Sequence, residues 1–261
     1  MIRALTLFLS LSVSSAFASS VFSGRSVLLY NETKDQVIIE NNNEVRSIAS
    51  ITKLMTAMVS LDNNSDLTKK LKLSTRVKGQ LPVNTYTREQ LFHAMLIRSD
   101  NAAAETLAAD YPGGREAFLI AMNQKAQQLK MPSAVFSDPA GLIRENTTTL
   151  HGVKILLQAS AEYPLIRETS VKKQALFESQ YKKKIRKVVL HNTNSKMLFE
   201  FDNIIVTKTG YTNPAGFCVG LVVEKNNQRY IVVILGARNP IERLKIAQEI
   251  MYNHLSDSDL K

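Results

Sequence analysis

Cysteine and tryptophan are almost absent from this chain of 261 residues, which has one cysteine and no tryptophan. The single thiol, Cys218, excludes an internal disulfide and any zinc site made of several cysteines. No histidine lies near it in the sequence, so we expect a buried core thiol rather than a nucleophile. The histidines form no H-x-H or H-x-x-x-H pair: His93, His151, His191 and His254. We therefore predict no metal site and no cofactor.

Acidic residues are also scarce, with 23 Asp and Glu against 33 Lys and Arg and a formal net charge of +10. Such an excess favours an anionic partner or surface. The basic run from Lys182 to Lys187 has no interleaved aromatic residue on which a base could stack. We predict a solvated hairpin arm for this run and no nucleic-acid partner for the protein.

No segment after residue 18 is apolar over the ~20 residues that a membrane span needs. The N-terminus carries a shorter apolar run, residues 4–11, behind a single positive charge at Arg3. Small residues at Ala16 and Ala18 follow with the spacing of a signal-peptide cleavage site. We predict a signal peptide over residues 1–18 and an exported mature chain, 19–261, with no stable membrane anchor and no C-terminal anchor domain.

Strand patterns lie near both ends of the chain and helical patterns fill its middle. The strand-like segments are 26–30, 36–40, 203–208, 217–224 and 230–236, and a closing helix is predicted from Pro240 to about His254. This arrangement predicts an α/β fold of the α+β type. One antiparallel sheet is completed by both termini and flanked by helices, and a mostly helical lobe is inserted between its strands.

The predicted subdomains follow from the same pattern. An α/β subdomain is expected over about 19–60 and 195–255, and a helical subdomain over about 61–160, within a single domain. In the helical part, Thr87 and Gln90 have the spacing of a capping box at the start of a helix. That helix is expected to break at Ser99-Asp100-Asn101.

The residues with the clearest chemical potential are Ser50 and Lys53, at the start of the first predicted helix. Positions i and i+3 share a helix face, so the ammonium of Lys53 can lie beside the hydroxyl of Ser50. An adjacent amine can turn an inert serine into a nucleophile without a histidine. Taken alone, S-x-x-K is a weak motif.

Two further elements follow in order, and each has its own physical reason. The break at Ser99-Asp100-Asn101 exposes a hydroxyl that can relay a proton with Lys53 and an amide that can bind a substrate amide. Lys208 and Thr209, at the predicted end of a late strand, offer a cation and a hydroxyl to an anionic group. Gly210 leaves room for a substrate that lies along the strand edge.

The three motifs together resemble the signature of the active-site-serine penicillin-recognising enzymes. Further stretches at 111–114, 138–142, 191–194 and 208–213 resemble the low-molecular-mass penicillin-binding proteins, which are serine DD-peptidases. Within that family the resemblance is strongest to the endopeptidases. The likeness runs from about Ser26 to the last helix and implies a DD-peptidase/β-lactamase-like fold.

That resemblance implies a periplasmic enzyme that acts on peptidoglycan stem peptides and cross-links and is inhibited covalently by β-lactams. Ser50 would attack a D-alanyl carbonyl, and the backbone amides of Ser50 and Tyr211 would form the oxyanion hole. Lys53 and Ser99 are both candidates for the general base. Substrate binding would fall to Asn101, Lys208, Thr209, Gly210 and Tyr211.

The chain ends at Lys261, soon after its closing helix, with an acidic tail over 256–259 that is too polar to bind an anionic leaflet. We therefore expect an endopeptidase that cuts cross-links, with carboxypeptidase activity on pentapeptide ends as the main alternative. A β-lactamase is disfavoured because Glu145 is followed at once by Asn146, which breaks the E-x-x-L-N spacing. A catalytically dead wall-binding protein would not need all three motifs.

Overall fold

The computed structural model describes residues 24–181 and 184–255. The predicted signal peptide, the first two lysines of the basic run and the acidic tail lie outside the described residues. Within them the strands are β1 (Ser26–Asn31), β2 (Gln36–Asn41), β3 (Arg46–Ser47), β4 (Lys70–Lys72), β5 (Thr85–Thr87), β6 (Thr147–Thr148), β7 (Gln174–Tyr181), β8 (Lys184–His191), β9 (Ile204–Thr212), β10 (Gly216–Lys225) and β11 (Gln228–Ala237).

The helices occupy mainly the middle of the chain, as the apolar periodicity predicts. They are α1 (Thr52–Asn63), α2 (Arg88–Ile97), α3 (Asn101–Ala109), α4 (Gly114–Gln128), α5 (Leu150–Ala161), α6 (Pro164–Ser170), α7 (Ser195–Glu200) and α8 (Pro240–Ile250). A 3-10 turn (Ala49–Ile51) precedes α1, and a π turn (Met251–Leu255) follows α8. None of the helices in the described ranges is both long and apolar enough for a transmembrane segment.

The main sheet confirms the predicted architecture. Within the described residues its five strands are all antiparallel and run in the order β2-β1-β11-β10-β9. The N-terminal strand β1 pairs with the C-terminal strand β11, with Leu28 opposite Val233. The sheet is therefore completed by both ends of the chain, and β9 is left at an edge.

Alternate residues of the sheet point into two separate apolar clusters. Leu28 and Val233 face the larger cluster, which is shared with the helices of the inserted lobe. Val27 and Val232 face the smaller cluster, where α8 covers the other side of the sheet. This two-faced burial explains why the strands read as nearly continuous apolar runs.

Local signals explain several element boundaries. The capping box predicted at Thr87 and Gln90 is confirmed, with reciprocal hydrogen bonds between the two residues. The tight turn between β10 and β11 is made by Asn226 and Asn227, which have φ values of 50° and 58°. Two successive left-handed residues are what a two-residue hairpin requires, and asparagine tolerates them.

Two sequence expectations need correction. The motif Lys208-Thr209-Gly210 does not end its strand, because β9 continues to Thr212 through antiparallel pairing with β10. Ser50 lies in a 3-10 turn, and the regular α-helix begins only at Thr52. Both differences arise from pairing and packing partners that are distant in sequence.

Candidate active site

The turn that carries Ser50 is held in an unusual backbone conformation. Ala49, fully buried just before the serine, has a φ of 46°, in the left-handed region that a residue with a Cβ rarely adopts. Such strain persists only where the surroundings impose it, and it clusters at functional sites. The turn presents the half-buried Ser50 side chain at the start of α1.

Lys53 lies on the first turn of α1, and its side chain is completely buried. Its Nζ atom is 2.8 Å from Ser50 Oγ, 2.8 Å from Asn101 Oδ1 and 2.6 Å from the carbonyl oxygen of Ala140. An ammonium has three N–H donors, so these three acceptors satisfy all of them. The predicted Ser50–Lys53 pairing is therefore present in the folded chain.

Burial changes the protonation of Lys53. Desolvation lowers the pKa of its amine to about 7, against the opposing attraction of Asp138, Asp100 and Glu105. A neutral lysine amine keeps two N–H donors and gains one lone pair. Because Asn101 Oδ1 and the Ala140 carbonyl can only accept, the two N–H groups belong to them and the lone pair faces the hydroxyl of Ser50.

The predicted helix break positions the second motif. Helix α2 ends at Ile97, and α3 begins at Asn101 with Asp100 as its N-cap, whose carboxylate accepts from Ala103 N at 2.8 Å. The same carboxylate accepts from the backbone of Leu81 at 2.8 Å. Between the helices, Ser99 adopts a φ of 61°, which places its hydroxyl beside the third motif.

Lys208, in the middle of β9, is 1% exposed. Its Nζ atom donates to Ser99 Oγ over 2.9 Å and to the carbonyl of Thr209 over 2.8 Å. Desolvation, together with the nearby positive charges of Lys53 and Arg243, holds the pKa of this amine well below its usual range. In the described structure Ser99 is thus paired with Lys208, and its predicted proton relay with Lys53 stays a prediction.

Gly210 allows β9 to approach the serine turn closely. A Cβ atom built on it would lie 2.9 Å from Ser50 N and 3.0 Å from the carbonyl oxygen of Ile48. Those distances are shorter than real Cβ contacts, so any side chain here would push the strand away from Ser50. Beside its predicted role of leaving room for substrate, a glycine at position 210 is required by the close contact of β9 with the serine turn.

The residues that flank Gly210 present polar groups along the edge strand. Thr209 Oγ1 donates to Thr193 Oγ1 over 2.7 Å. The half-exposed ring of Tyr211 stacks on Phe217 with the ring centroids 4.1 Å apart, and its hydroxyl donates to Asn213. Since β9 is the last strand of the sheet on this side, a ligand that adds as a further strand would pair here.

Sequence reasoning missed the contribution of the loop that contains Asp138 and Ala140. The Asp-Pro-x-Gly pattern indicates a turn, but the sequence gives no sign that the Ala140 carbonyl reaches Lys53, 87 positions away. In the same loop, Glu145 is exposed and Asn146 is buried.

The single cysteine is a core residue. The prediction of a core thiol is confirmed: Cys218 is fully buried, and burial raises its pKa to about 11. Among residues 24–181 and 184–255, no three His, Cys, Asp or Glu side chains are grouped closely enough to hold a metal ion.

Comparison with known proteins agrees with this arrangement. A family model described as D-alanyl-D-alanine carboxypeptidase matches residues 13–239. The D-alanyl-D-alanine endopeptidase of Escherichia coli is 36% identical over 221 residues, which are 81% of this chain and 71% of the relative. The D-alanyl-D-alanine endopeptidase of Pseudomonas aeruginosa is 35% identical over 260 residues, 89% of this chain and 81% of the relative.

Solved structures show the same fold. The Streptomyces K15 DD-transpeptidase superposes with a TM-score of 0.80 at 22% identity, over 87% of this chain and 95% of that one. Penicillin-binding protein D2 of Listeria monocytogenes, in its cefotaxime-bound form, gives 0.74 at 28% identity with the same coverage. The family resemblance carried by the three motifs is confirmed, and the chain belongs to peptidase family S11, the D-alanyl-D-alanine carboxypeptidase family of serine D-Ala-D-Ala peptidases.

Proposed function

We propose that this protein is a periplasmic DD-endopeptidase that hydrolyses D-alanyl cross-links of peptidoglycan through an acyl-enzyme on Ser50. The observation that carries the proposal is the 2.8 Å contact between Lys53 Nζ and Ser50 Oγ, with both other partners of the amine unable to donate a proton. Among the three partners, only the serine hydroxyl has a proton to give.

In the acylation step, neutral Lys53 takes the proton of Ser50 Oγ as that oxygen bonds to the D-alanyl carbonyl carbon. The tetrahedral intermediate then collapses, the carbon–nitrogen bond breaks, and the leaving amine receives the proton that Lys53 took from Ser50, so that Lys53 is neutral again. Of the two candidate bases, Lys53 is favoured over Ser99 for this half-reaction, because Ser99 Oγ already accepts a hydrogen bond from Lys208.

Water completes the reaction by attacking the ester carbonyl. Its oxygen bonds to the acyl carbon and the bond from that carbon to Ser50 Oγ breaks. One proton of the water returns to Ser50 Oγ, and the other is released to solvent as the peptide leaves as a carboxylate. Lys53, which contacts Ser50 Oγ, and Ser99, which contacts Lys208, are both candidates for the base in this second half-reaction.

The oxyanion formed in each half-reaction needs two donors close together. Gly210 lies close to Ser50 N, and Tyr211 is the next residue along β9. We propose these two amides, of Ser50 and Tyr211, as the oxyanion hole.

Substrate would lie along the open edge of β9. Lys208 and Thr209 would bind the carboxylate beyond the scissile bond, and the Asn101 amide would bind a backbone group of the stem peptide. A cross-link and a free D-alanine end both present a carboxylate there, so these residues accept either substrate.

Two observations favour the cross-link. The similar proteins of Escherichia coli and Pseudomonas aeruginosa are named endopeptidases. The formal charge of +10 suits an enzyme that moves over an anionic wall polymer. The family description, carboxypeptidase, makes trimming of pentapeptide ends the rival activity.

As part of the same proposal, residues 1–18 are a signal peptide and 19–261 a single catalytic domain.

Binding of β-lactams follows from the same proposal. Penicillin-binding protein D2 of Listeria monocytogenes has been solved in cefotaxime-bound and ampicillin-bound forms, at 28% and 27% identity to this chain. We propose that the strained β-lactam carbonyl is attacked by Ser50 in place of the D-alanyl carbonyl.

The activity is tested by incubating the mature protein with a defined cross-linked muropeptide dimer and, separately, with a pentapeptide monomer. Chromatography should show fast conversion of the dimer to monomers and little release of D-alanine, and neither reaction with Ser50→Ala. Rapid loss of D-alanine from the monomer beside an untouched dimer would overturn the endopeptidase assignment. Dimer cleavage that persists in Ser50→Ala would overturn the mechanism.

A further inference from the structure

Asp138 is a buried carboxylate that the proposed mechanism does not use. It is linked to Lys53 through the peptide between Ala140 and Gly141. Asp138 is 2% exposed and opens the loop that leads to Asn146. Within the described residues its Oδ1 atom accepts from the backbone N–H groups of Ala140 and Gly141, both at 2.7 Å. Its Oδ2 atom accepts from Ile143 N at 2.6 Å and from Asn146 Nδ2 at 2.7 Å.

These hydrogen bonds fix the direction of one particular carbonyl. The N–H of Gly141 and the C=O of Ala140 belong to the same planar peptide, and in a trans peptide they point in opposite directions. Because the N–H is held by Asp138, the carbonyl oxygen is directed away from that carboxylate. It lies 2.6 Å from Lys53 Nζ and 3.3 Å from Ser50 Oγ.

Helix α1 and the serine turn brace the same loop. Thr56 Oγ1 donates to the carbonyl of Pro139 over 2.6 Å, and Ile48 N donates to the carbonyl of Asn146 over 3.0 Å. A Cβ atom on Gly141, whose φ is 75°, would lie 2.0 Å from the carbonyl oxygen of Ala49. The loop is thus packed against the backbone that presents the nucleophile.

We propose that Asp138 is a positioning residue, which acts through the Ala140 carbonyl to direct the lone pair of the Lys53 amine at Ser50. This inference rests on the proposed function, in which Lys53 is the base of acylation. With two fixed acceptors the neutral amine has one orientation left. Without a fixed Ala140 carbonyl, an N–H group can turn toward Ser50 Oγ and leave the lone pair pointing elsewhere.

Asp138 also belongs to the set of charges that surround Lys53. The carboxylates of Asp138, Asp100 and Glu105 stabilise its protonated form. The buried amine of Lys208 is close enough to interact electrostatically with Lys53. Removing any of these carboxylates lowers the pKa of Lys53. Among the three, Asp138 is the one that holds the Ala140–Gly141 peptide, so charge and positioning can be separated by comparing variants.

The test measures the rate of acylation of the full mature protein by a fluorescent penicillin, as a function of pH and per folded molecule. In Asp138→Asn we expect the rate above the pKa of Lys53 to fall at least about tenfold, as misplacement of a catalytic group does. The acid limb, which is the pH range below the plateau where the rate rises with pH, should also move to lower pH, because loss of the Asp138 charge lowers the pKa of Lys53. A role confined to fold stability would lower the melting temperature and move the acid limb through the lost charge, but it would leave the plateau unchanged.

Two matched variants complete the test. Glu105→Gln removes a buried carboxylate near Lys53 but no contact to the loop, so its acid limb should also move down while its plateau stays within about twofold of wild type. Asp66→Asn, at an exposed turn, should change neither feature. If Asp138→Asn does not fold, Thr56→Val, which frees the Pro139 carbonyl, should lower the plateau without moving the acid limb.

Each outcome decides a different claim. The positioning role alone would be overturned if Asp138→Asn had the same plateau as Glu105→Gln. Where Asp138→Asn cannot be prepared, an unchanged plateau for Thr56→Val would overturn it. Labelling of Ser50 that survives Lys53→Ala would overturn the proposed base, and the inference about Asp138 with it.

Discussion

Lys208 Nζ lies 2.9 Å from Ser99 Oγ, so the edge strand of the sheet and the break between α2 and α3 are joined by a hydrogen bond. The site therefore contains two lysine–serine pairs, since Lys53 lies 2.8 Å from Ser50. Both lysines are buried, and burial lowers the pKa of each. In the proposed mechanism Lys53 acts on Ser50 during acylation and Lys208 binds substrate, while Ser99 remains a candidate base for hydrolysis of the ester.

This division predicts different losses in two alanine variants. Lys53→Ala should abolish acylation even at saturating β-lactam, because the hydroxyl of Ser50 loses its proton acceptor. Lys208→Ala should raise the half-saturating concentration and keep a measurable acylation rate at saturation. Stopped-flow labelling over a range of drug concentrations separates the two effects. Equal loss of the saturated rate in both variants would show that the division is wrong.

The pKa of Lys53, about 7, predicts a pH dependence for acylation. The base must be neutral, so the rate should rise as the pH increases through about 7 and then level off. Below that range the ammonium has no lone pair for the proton of Ser50. The measurement is the acylation rate at constant ionic strength from acidic to mildly alkaline pH. A rate that falls as the pH rises through this range would contradict a neutral lysine base.

Close packing at Gly210 predicts a substitution that harms activity more than stability. In Gly210→Ala the new Cβ meets the backbone of Ser50 and Ile48, which cannot move without displacing the nucleophile. We expect a loss of acylation of about 10²-fold, as for a small misplacement of reacting groups.

Gly220→Ala on β10 is the control for that substitution, because the three atoms nearest to its Cβ belong to the side chain of Leu157. It should lower the melting temperature with little effect on acylation of the folded protein. Acylation rates and thermal unfolding of both variants check the contrast. Wild-type acylation in Gly210→Ala would show that the close approach of β9 has no role in the site.

Local patterns predicted those parts of the site that depend on nearby residues. Ser50 and Lys53 are three positions apart at the start of a helix, and the Ser99-Asp100-Asn101 break is made by the N-cap at Asp100, so both could be read from the sequence. The resemblance carried by the three motifs then implied which elements meet around Ser50.

Other features depend on contacts that the sequence does not encode locally. The length of β9 beyond Gly210 is set by its pairing with β10. The pairing of Ser99 with Lys208 joins residues 109 positions apart, and the Ala140 carbonyl is directed by a loop whose sequence indicates only a turn. The long strands β7 and β8 are predicted only as an arm around the basic run, since apolar residues on their exposed faces, Leu176 and Val189 among them, interrupt the alternation of apolar and polar side chains.

The central claim is that Ser50 is the nucleophile, and peptide mapping after treatment with penicillin tests it most directly. The folded mature protein should gain the mass of one drug molecule, and digestion should place that mass on the peptide that contains Ser50. Ser50→Ala should show no adduct under the same conditions. An adduct on another residue of the folded protein, or equal labelling of Ser50→Ala, would contradict the account.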